Sequence, residues 1–187
     1  FIYIMIYNFR KFFEMQNVKY DYSSTQINVP QPLANELINW GNKKIKNSEI
    51  FVSQTDPNFG REDEMHVTVL YGIHSDSHKE IEKSISGIKP ITVKLGKIDV
   101  FTNPENFDVV VVDVISKELH ELNSLLTKSV EFTNKYKEYK PHITIAYVKK
   151  GKGIKYKGID AFKGKEFTSD SIIFSSKTGI KKTINVR

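Results

Sequence analysis

The sequence predicts an α+β protein whose two small antiparallel lobes face one cleft. The pattern histidine, β-branched residue, threonine, β-branched residue, any residue, tyrosine occurs twice, at residues 66–71 and 142–147. Both copies have the alternation of a β-strand, and each follows a predicted strand and helix. The chain therefore has a loose twofold plan with one lobe for each copy.

Length and composition fit one compact domain. The chain has 187 residues, of which 39% are hydrophobic and 27% charged, enough for a single core. We expect this domain to cover residues 16–187 and residues 1–15 to be a non-essential extension. The apolar run at residues 1–7 is too short for a membrane helix, which needs about 20 residues, and it lacks the order of a secretory signal.

Charge and cysteine content restrict the classes of partner and chemistry. The formal net charge is +6 and the isoelectric point is about 9.2, which favours nucleotides or RNA as partners, although solvated lysine faces are the commoner cause of such a balance. The chain contains no cysteine, which excludes disulfides, cysteine-bound zinc and a thiol nucleophile. This composition fits a reducing compartment, and we expect a cytoplasmic protein.

The first half of the chain reads as strand, helix, strand. Residues 24–29 alternate between polar and apolar types, and Pro30 ends this predicted strand. Pro32 suits the first turn of a helix that continues to residue 46. Its apolar stripe comprises Leu33, Leu37, Ile38 and Ile45. Turn chemistry at residues 56–60 then leads into the first histidine strand.

The second half repeats this order with an additional hairpin. The periodicity predicts a helix over 77–88, paired strands over 91–101 and 107–115, and a helix over 117–131 that leads to the second histidine strand. Lysine and glycine are frequent in residues 149–164, which predicts a mobile loop. Two further strands are expected near 167–175 and 182–186.

Strand periodicity sorts the repeated residues onto two faces, because residues i and i+2 of a strand share a face. The residues expected to face the cleft are His66, Thr68, Leu70, His142, Thr144 and Ala146. Tyr71 and Tyr147 fall on the opposite, apolar faces, so we expect both in the core. The cleft then contains two imidazoles and two hydroxyls.

Two imidazoles and two hydroxyls suit phosphodiester chemistry. A neutral imidazole can take a proton from the attacking oxygen, and a protonated one can give a proton to the leaving oxygen. The ordinary pKa of histidine, about 6.5, makes both forms accessible at neutral pH. Hydroxyls can donate to the phosphate oxygens as charge builds up. A single strand of this pattern is usually structural, but two such strands in a chain with five histidines strongly indicate a functional site.

The two motifs resemble those of the 2H phosphoesterase superfamily, which is defined by two His-x-Thr/Ser motifs. The matches are HVT at residues 66–68 and HIT at 142–144. The resemblance implies a bilobal fold in which two antiparallel-sheet lobes with flanking helices have pseudo-twofold symmetry around a central cleft. It also implies that His66 and His142 are the acid–base pair, that Thr68 and Thr144 bind the phosphate, and that neither metal nor cofactor is needed.

The flanking sequences resemble a narrower group. STQINVP, FGREDEMHVTVLYGIH and KPHITIAYVKKGKG are similar to the viral anti-CBASS enzymes, which degrade cyclic oligonucleotide alarm signals of the host. This similarity implies a phage enzyme that acts in the host cytoplasm. The implied substrate is a cyclic di- or trinucleotide, cleaved at a 3′–5′ bond to a linear product.

Several other residues are candidates for binding or orienting the substrate. Tyr20 and Tyr22 precede the first strand and can stack on bases, because every base has a π-face. Lys140, Lys149 and Lys150 flank the second histidine strand and can attract phosphates, although a solvated charge run is the commoner role of such lysines.

Two interpretations are also possible for residues just before and just after the first histidine strand. Residues 61–64 can orient His66 through a carboxylate, or form a polar turn. His74 and His78 have a spacing that suits two metal ligands, but no third ligand accompanies them, so we predict no metal site.

Two other functions remain open at this stage. One is RNA processing, in which the protein opens a terminal 2′,3′-cyclic phosphate. The other is a nucleotide sponge or RNA-binding module that uses the same cleft without turnover. Retention of two histidines and two threonines favours catalysis, since binding alone needs no matched proton donor and acceptor. The sequence does not assign which histidine is the base, nor the oligomeric state.

Overall fold

The computed structural model of the chain describes residues 20–53, 59–102, 106–134, 136 and 138–186. Within these ranges it has eight strands and three α-helices: β1 Ser23–Asn28, α1 Leu33–Lys44, β2 His66–Ile73, α2 Lys79–Ser84, β3 Ile91–Thr102, β4 Phe107–Ile115, α3 Lys117–Ser129, β5 His142–Lys149, β6 Glu166–Ser169, β7 Ser171–Ser175 and β8 Lys181–Asn185. Two short 3-10 helices, Asn47–Glu49 and Ile154–Tyr156, accompany them. The predicted extension at 1–15, and most of the predicted turn at 56–60, lie outside the described residues.

All eight strands belong to one antiparallel sheet in the order β6-β3-β4-β5-β2-β1-β7-β8. The two strands that begin with histidine lie side by side in its centre. Each is flanked by three more strands, so the sheet divides into a β2 half (β2, β1, β7, β8) and a β5 half (β5, β4, β3, β6). The predicted α+β class and the twofold plan are confirmed, and the two lobes are halves of one continuous sheet.

The helices cover one face of the sheet and bury its apolar side chains. The stripe of α3 consists of Leu119, Leu122 and Leu126, all buried. Its start is fixed by Ser116, whose Oγ accepts a hydrogen bond from the Leu119 amide at 3.1 Å. Leu37 of α1 and the fully buried Ile143 of β5 belong to the same core. The face opposite the helices carries the polar residues of the central strands. In the ranges described above, no helix is long and apolar enough to cross a membrane.

Both histidine strands contain a β-bulge at the same place, three residues after the histidine. The pairing of β2 with β1 skips Val69, and the pairing of β5 with β4 skips Ile145. A bulge adds one residue and reverses the alternation beyond it. The expectation that Tyr71 and Tyr147 lie in the core is therefore wrong: Tyr71 is 55% exposed and Tyr147 is half-buried.

Two other segments differ from expectation. The predicted helix over 77–88 is regular only from Lys79 to Ser84, and Gly87 follows with a positive φ of 80°. Residues 149–164 form a packed segment rather than a free loop, since Tyr156 and Phe162 are buried. Both rings contact Trp40 of α1 with centroids 6.0 Å apart. Apolar side chains between the lysines therefore anchor this segment to the first helix.

Candidate active site

The two His-x-Thr motifs meet at the seam between the halves of the sheet. Strands β2 and β5 are antiparallel and pair at Val67 and Ile143, both fully buried. One step from this pair, the antiparallel register sets His66 opposite Thr144 and Thr68 opposite His142. The four polar side chains alternate with the buried pair, and all are half-buried. We call His66, Thr68, His142 and Thr144 the His/Thr patch.

The two histidines are oriented by the same hydrogen bond. Nδ1 of His66 lies 2.7 Å from the Glu64 carbonyl oxygen, and Nδ1 of His142 lies 2.7 Å from the Lys140 carbonyl oxygen. A carbonyl oxygen only accepts, so Nδ1 carries the proton in both rings. Nε2 is then the atom left for chemistry. Of the two roles considered for residues 61–64, orientation of His66 is carried out by the backbone carbonyl of Glu64 and not by a carboxylate.

His142 is held towards its neutral form. Burial lowers the pKa of the His142 imidazole; the hydrogen bond to the Lys140 carbonyl opposes this, and the positive charge of His66 adds to it. The ring of Phe101 in β3 contributes to this burial. It lies nearly perpendicular to the His142 imidazole, with ring centroids 4.8 Å apart. Nothing in the sequence around Phe101 indicated this contact.

The residues beside the two histidines differ between the halves. Asn28 of β1 pairs with His66, whereas Asp113 of β4 pairs with His142. The Asn28 amide is engaged, since its Oδ1 accepts from Gln26 at 2.8 Å and its Nδ2 lies 3.4 Å from Glu64 Oε1. Asp113 is half-buried and lines a cavity next to His142. Sequence reasoning missed Asp113, although an aspartate in the valine-rich strand FDVVVVDVI was an available signal.

An aromatic cluster lies at the end of β2, on the side of Tyr71. The ring of Tyr22 stacks on His74 with centroids 5.7 Å apart and meets Tyr71 edge-on at 6.0 Å. Tyr22, a candidate for base stacking, thus lies beside a residue of the cleft face. Tyr20 lies further out, where its amide donates to the Lys177 carbonyl oxygen at 2.7 Å.

A second aromatic cluster lies at the end of β5. Tyr147 meets Phe59 at 5.1 Å and Phe107 at 5.7 Å between ring centroids, and Phe51 contacts both phenylalanines at 5.2 Å. Because of the two bulges, each histidine strand thus carries its tyrosine on the cleft face and ends in an aromatic group. The His/Thr patch lies between the two groups.

The three candidate lysines occupy different places. Lys140 lies two residues before His142 and lines the same cavity as Asp113. Lys149 is at the far end of β5, roughly 20 Å along the strand from His142, and its Nζ donates to the Ser48 carbonyl oxygen at 2.9 Å. Lys150 follows in the next turn and is exposed. The structure therefore brings only Lys140 close to the histidine pair.

His74 and His78, the two histidines considered as metal ligands, each contact a different part of the chain. His74 bonds the Thr133 hydroxyl at 2.8 Å, and His78 lies 3.8 Å from Glu82 at the start of α2. In the part of the chain that the structure describes, no group of three or more His, Asp or Glu side chains is arranged to hold a metal ion.

Comparison with known proteins identifies the family and the fold. A family profile described as "Anti-CBASS protein Acb1" matches residues 31–173, which include both histidine strands. The crystal structure of TT0787 of Thermus thermophilus has a TM-score of 0.62 at 14% identity, over 89% of this chain and 98% of that one. The apo crystal structure of Escherichia coli LigT has a TM-score of 0.55 at 12% identity, over 90% and 96%. Comparison with curated proteins gives no match.

The two solved structures confirm the fold expected from the paired motifs. At identities of 14% and 12% the likeness concerns the fold alone. That fold is the 2H phosphoesterase fold, with its curled antiparallel sheet and flanking helices. The motifs, the fold and the family profile thus agree over most of the chain.

Proposed function

Since the chain belongs to the family of anti-CBASS protein Acb1, we propose that it hydrolyses cyclic oligonucleotide signals of host defence to linear products, with His66 and His142 as its acid–base pair. The observation that carries the proposal is the His/Thr patch at the strand seam. There, two imidazoles with the same Nδ1 hydrogen bond lie beside two threonines on one open face. The class of activity is that of a phosphodiesterase.

In the proposed mechanism the scissile phosphate lies over the seam between β2 and β5. Thr68 and Thr144 are on opposite sides of this seam, and their hydroxyls donate to the non-bridging phosphate oxygens. Charge on these oxygens grows towards the transition state, so fixed donors stabilise the transition state more than the ground state. The imidazolium adds a positive charge at the same place.

The different surroundings of the two histidines support an assignment of roles. Burial lowers the pKa of His142, so at neutral pH its Nε2 is free to take the proton from the attacking oxygen. His66, in its protonated form, then gives a proton to the oxygen that leaves. The carbonyls of Lys140 and Glu64 hold the rings in the orientation that both steps need.

The aromatic clusters support a nucleotide with bases on both sides of the phosphate. Tyr22 and Tyr71 lie beyond one end of the patch, and Tyr147 lies beyond the other. Stacking on aromatic side chains contributes about 1–3 kcal/mol per base and accepts any base. In this arrangement the reacting phosphate lies between two stacking surfaces. Each phosphate of a small cyclic oligonucleotide likewise lies between two nucleosides, whose bases can use these surfaces.

Product analysis tests the function. The protein is incubated, with EDTA present, with cyclic di- and trinucleotides and with an RNA oligomer that ends in a 2′,3′-cyclic phosphate, and products are resolved by chromatography and mass. Linear nucleotides from the cyclic set are expected. Opening of the RNA terminus alone would instead assign RNA-end processing. Cyclic ligand recovered intact after binding would assign a sponge.

A further inference from the structure

A cavity of about 690 Å³ lies beside His142, within the size range of small-molecule sites. We call it the β3–β4 cavity, because most of its lining comes from these strands. Its lining residues are Asp99, Val100, Phe101, Thr102, Asp113, Val114, Ile115, His120, Tyr139, Lys140, Pro141 and Lys157. Two of these residues adjoin the His/Thr patch, since the Phe101 ring contacts the His142 imidazole and Asp113 pairs with His142, so the cavity is in reach of a base attached to the reacting phosphate.

Asp113 is the unusual group in this cavity. It is half-buried, and no residue that the structure describes donates a hydrogen bond or forms an ion pair to its carboxylate. Burial raises the pKa of the Asp113 carboxyl, and the negative charge of Asp99 raises it further. A carboxylate removed from water without a partner destabilises the fold, so a gain in ligand binding is the natural reason for its presence.

The backbone around Asp113 is built closely against it. β3 has an irregularity between Leu95 and Ile98, opposite this part of β4. A Cβ atom on Gly96 would lie only 2.9 Å from the Cβ of Asp113. Glycine at this place therefore lets β3 approach Asp113 and fix the direction in which its side chain leaves the strand.

Lys157 places a hydrogen-bond donor next to this free acceptor. Its Nζ lies 2.7 Å from Asp99 Oδ1, and its charge also acts on Asp113, whose pKa it lowers. The Lys157 ammonium has three donors, and its ion pair with Asp99 leaves donors for a ligand. The lining of the cavity thus contains the Asp113 carboxylate and the Lys157 ammonium group, which are close enough for the charge of each to act on the other.

On the premise that the protein hydrolyses cyclic oligonucleotides, we infer that the β3–β4 cavity binds a guanine base of the substrate, with Asp113 and Lys157 reading its edge. The Asp113 carboxylate accepts from guanine N1–H and N2–H, and the Lys157 ammonium donates to O6. The ligand class is therefore a guanine-containing cyclic oligonucleotide.

The other bases fit this pair of groups less well. Adenine has only one donor on its Watson–Crick edge and would turn the N1 lone pair towards the carboxylate of Asp113. Cytosine likewise has one donor beside an acceptor, and uracil has one donor between two acceptors. Guanine has two adjacent donors next to an acceptor, which matches a carboxylate next to an ammonium group.

The other half of the sheet also has a carboxylate and an ammonium group, but there the two are bonded to each other, since Lys181 donates to Glu64. At the place that corresponds to Asp113, the β2 half has Asn28, whose amide is already bonded to Gln26 and Glu64. The preference of Asp113 and Lys157 for guanine therefore applies to only one base of the substrate. A cyclic dinucleotide with a single guanine would satisfy it.

Equilibrium binding tests the inference separately from catalysis. The His66→Ala variant keeps the ligand intact, and in this background the affinities for cyclic di-GMP, cyclic di-AMP and cyclic di-IMP, which lacks the 2-amino group, are compared by calorimetry. We expect cyclic di-GMP to bind most tightly. Asp113→Asn should reduce the preference for cyclic di-GMP over cyclic di-AMP about 10- to 100-fold, the effect of one bidentate base contact.

Asp160→Asn is the matched control. Asp160 is an exposed aspartate that pairs with Lys97 at 3.5 Å, outside the cavity, so this variant should keep the parental preference. Equal affinity for the guanine and adenine ligands, or a preference that Asp113→Asn leaves unchanged, would overturn the inference. Turnover of cyclic dinucleotides by the unmodified protein is measured in parallel. Turnover without guanine preference sinks the inference alone; guanine-selective binding without turnover sinks only the proposed function.

Discussion

Val67 and Ile143 form the backbone pair that joins the two halves of the sheet, and the four residues next to this pair are those of the His/Thr patch. The relative positions of the two motifs are therefore set by strand pairing rather than by loops. Both partners are fully buried, which ties the geometry of the site to the core. Residues far apart in sequence thus meet at one place with little freedom.

Removal of either imidazole should abolish most turnover. We expect His66→Ala and His142→Ala each to lower kcat about 100- to 10,000-fold, the usual contribution of a general acid or base. Because the two act in one step, the double variant should lose little more than either single variant. Steady-state kinetics on a cyclic dinucleotide give the rates, and circular dichroism checks the fold.

His78→Ala is the control for this pair. His78 lies at the start of α2, where it contacts Glu82 and the ring of Phe174, away from the strand seam. Its replacement should leave kcat within about twofold. Full activity of either patch variant, or a loss in His78→Ala as large as theirs, would contradict the proposed acid–base pair.

The threonines should matter less than the histidines but in the same kinetic parameter. Thr68→Val and Thr144→Val each remove one hydroxyl donor at nearly constant shape, and we expect kcat to fall about 100-fold with a small change in KM. Thr168→Val, an exposed position in the edge strand β6, is the matched control. A rise in KM at constant kcat would show that the hydroxyls bind the ground state and leave the transition state without preferential stabilisation.

The burial of His142 has a consequence for the pH profile. A base must be neutral, and burial lowers the pKa of His142 below its ordinary value of 6.5. Activity should therefore be lost on acidification only below about pH 6.5, as His142 takes up a proton. Phe101→Ala admits water to the imidazole, raises its pKa and should move this limb of the profile to higher pH.

Two readouts decide this prediction. The position of the acid limb comes from kcat/KM against pH, and nitrogen NMR follows the imidazole of His142 directly. Phe107→Ala, which removes a ring without contact to His142, should leave the limb in place. An acid limb that Phe101→Ala does not move would show that another group titrates there, or that the ring does not control the exposure of His142.

Much of the fold follows from the sequence because its signals are local. The period of two in the strands and the leucine stripe of α3 identify the elements, and the repeated motif identifies the central pair. The packing of residues 149–164 was missed, because lysine and glycine dominate the composition while only Tyr156 and Phe162 decide the burial.

The site was predictable only in part. His66 and His142 stand out because their pattern occurs twice, whereas the bulges at Val69 and Ile145 leave no mark in a run of β-branched residues. A strict alternation through the bulges places the tyrosines on the wrong face. The lining of the β3–β4 cavity depends on contacts across strands, which neither spacing nor composition reports.

The cost of the Asp113 carboxylate should be measurable in stability. Its pKa is raised in the folded protein, so the folded state is penalised at neutral pH, where the carboxylate is ionised, and unpenalised below the unfolded pKa near 3.8. Asp113→Asn should therefore raise the free energy of unfolding at pH 7, by a few tenths of a kcal/mol because solvent screens a partly exposed charge. Urea denaturation at pH 7 and at pH 3.5 tests this; a gain that does not shrink at the lower pH would contradict it.

The end of β2 depends on Gly72 for a close approach of backbones. Gly72 has a φ of 90°, its carbonyl oxygen accepts from the Thr133 amide at 2.9 Å, and a Cβ atom on it would lie 1.9 Å from the Thr133 carbonyl oxygen. Gly72→Ala should lower the free energy of unfolding by about 3 kcal/mol or more, from strain and overlap together. Gly87→Ala is the control, because φ is 80° there but nothing lies within 4 Å of the added atom, so it should cost about 1–2 kcal/mol. Equal losses in urea denaturation would show that conformational strain alone acts at Gly72 and that the chain at Thr133 moves aside.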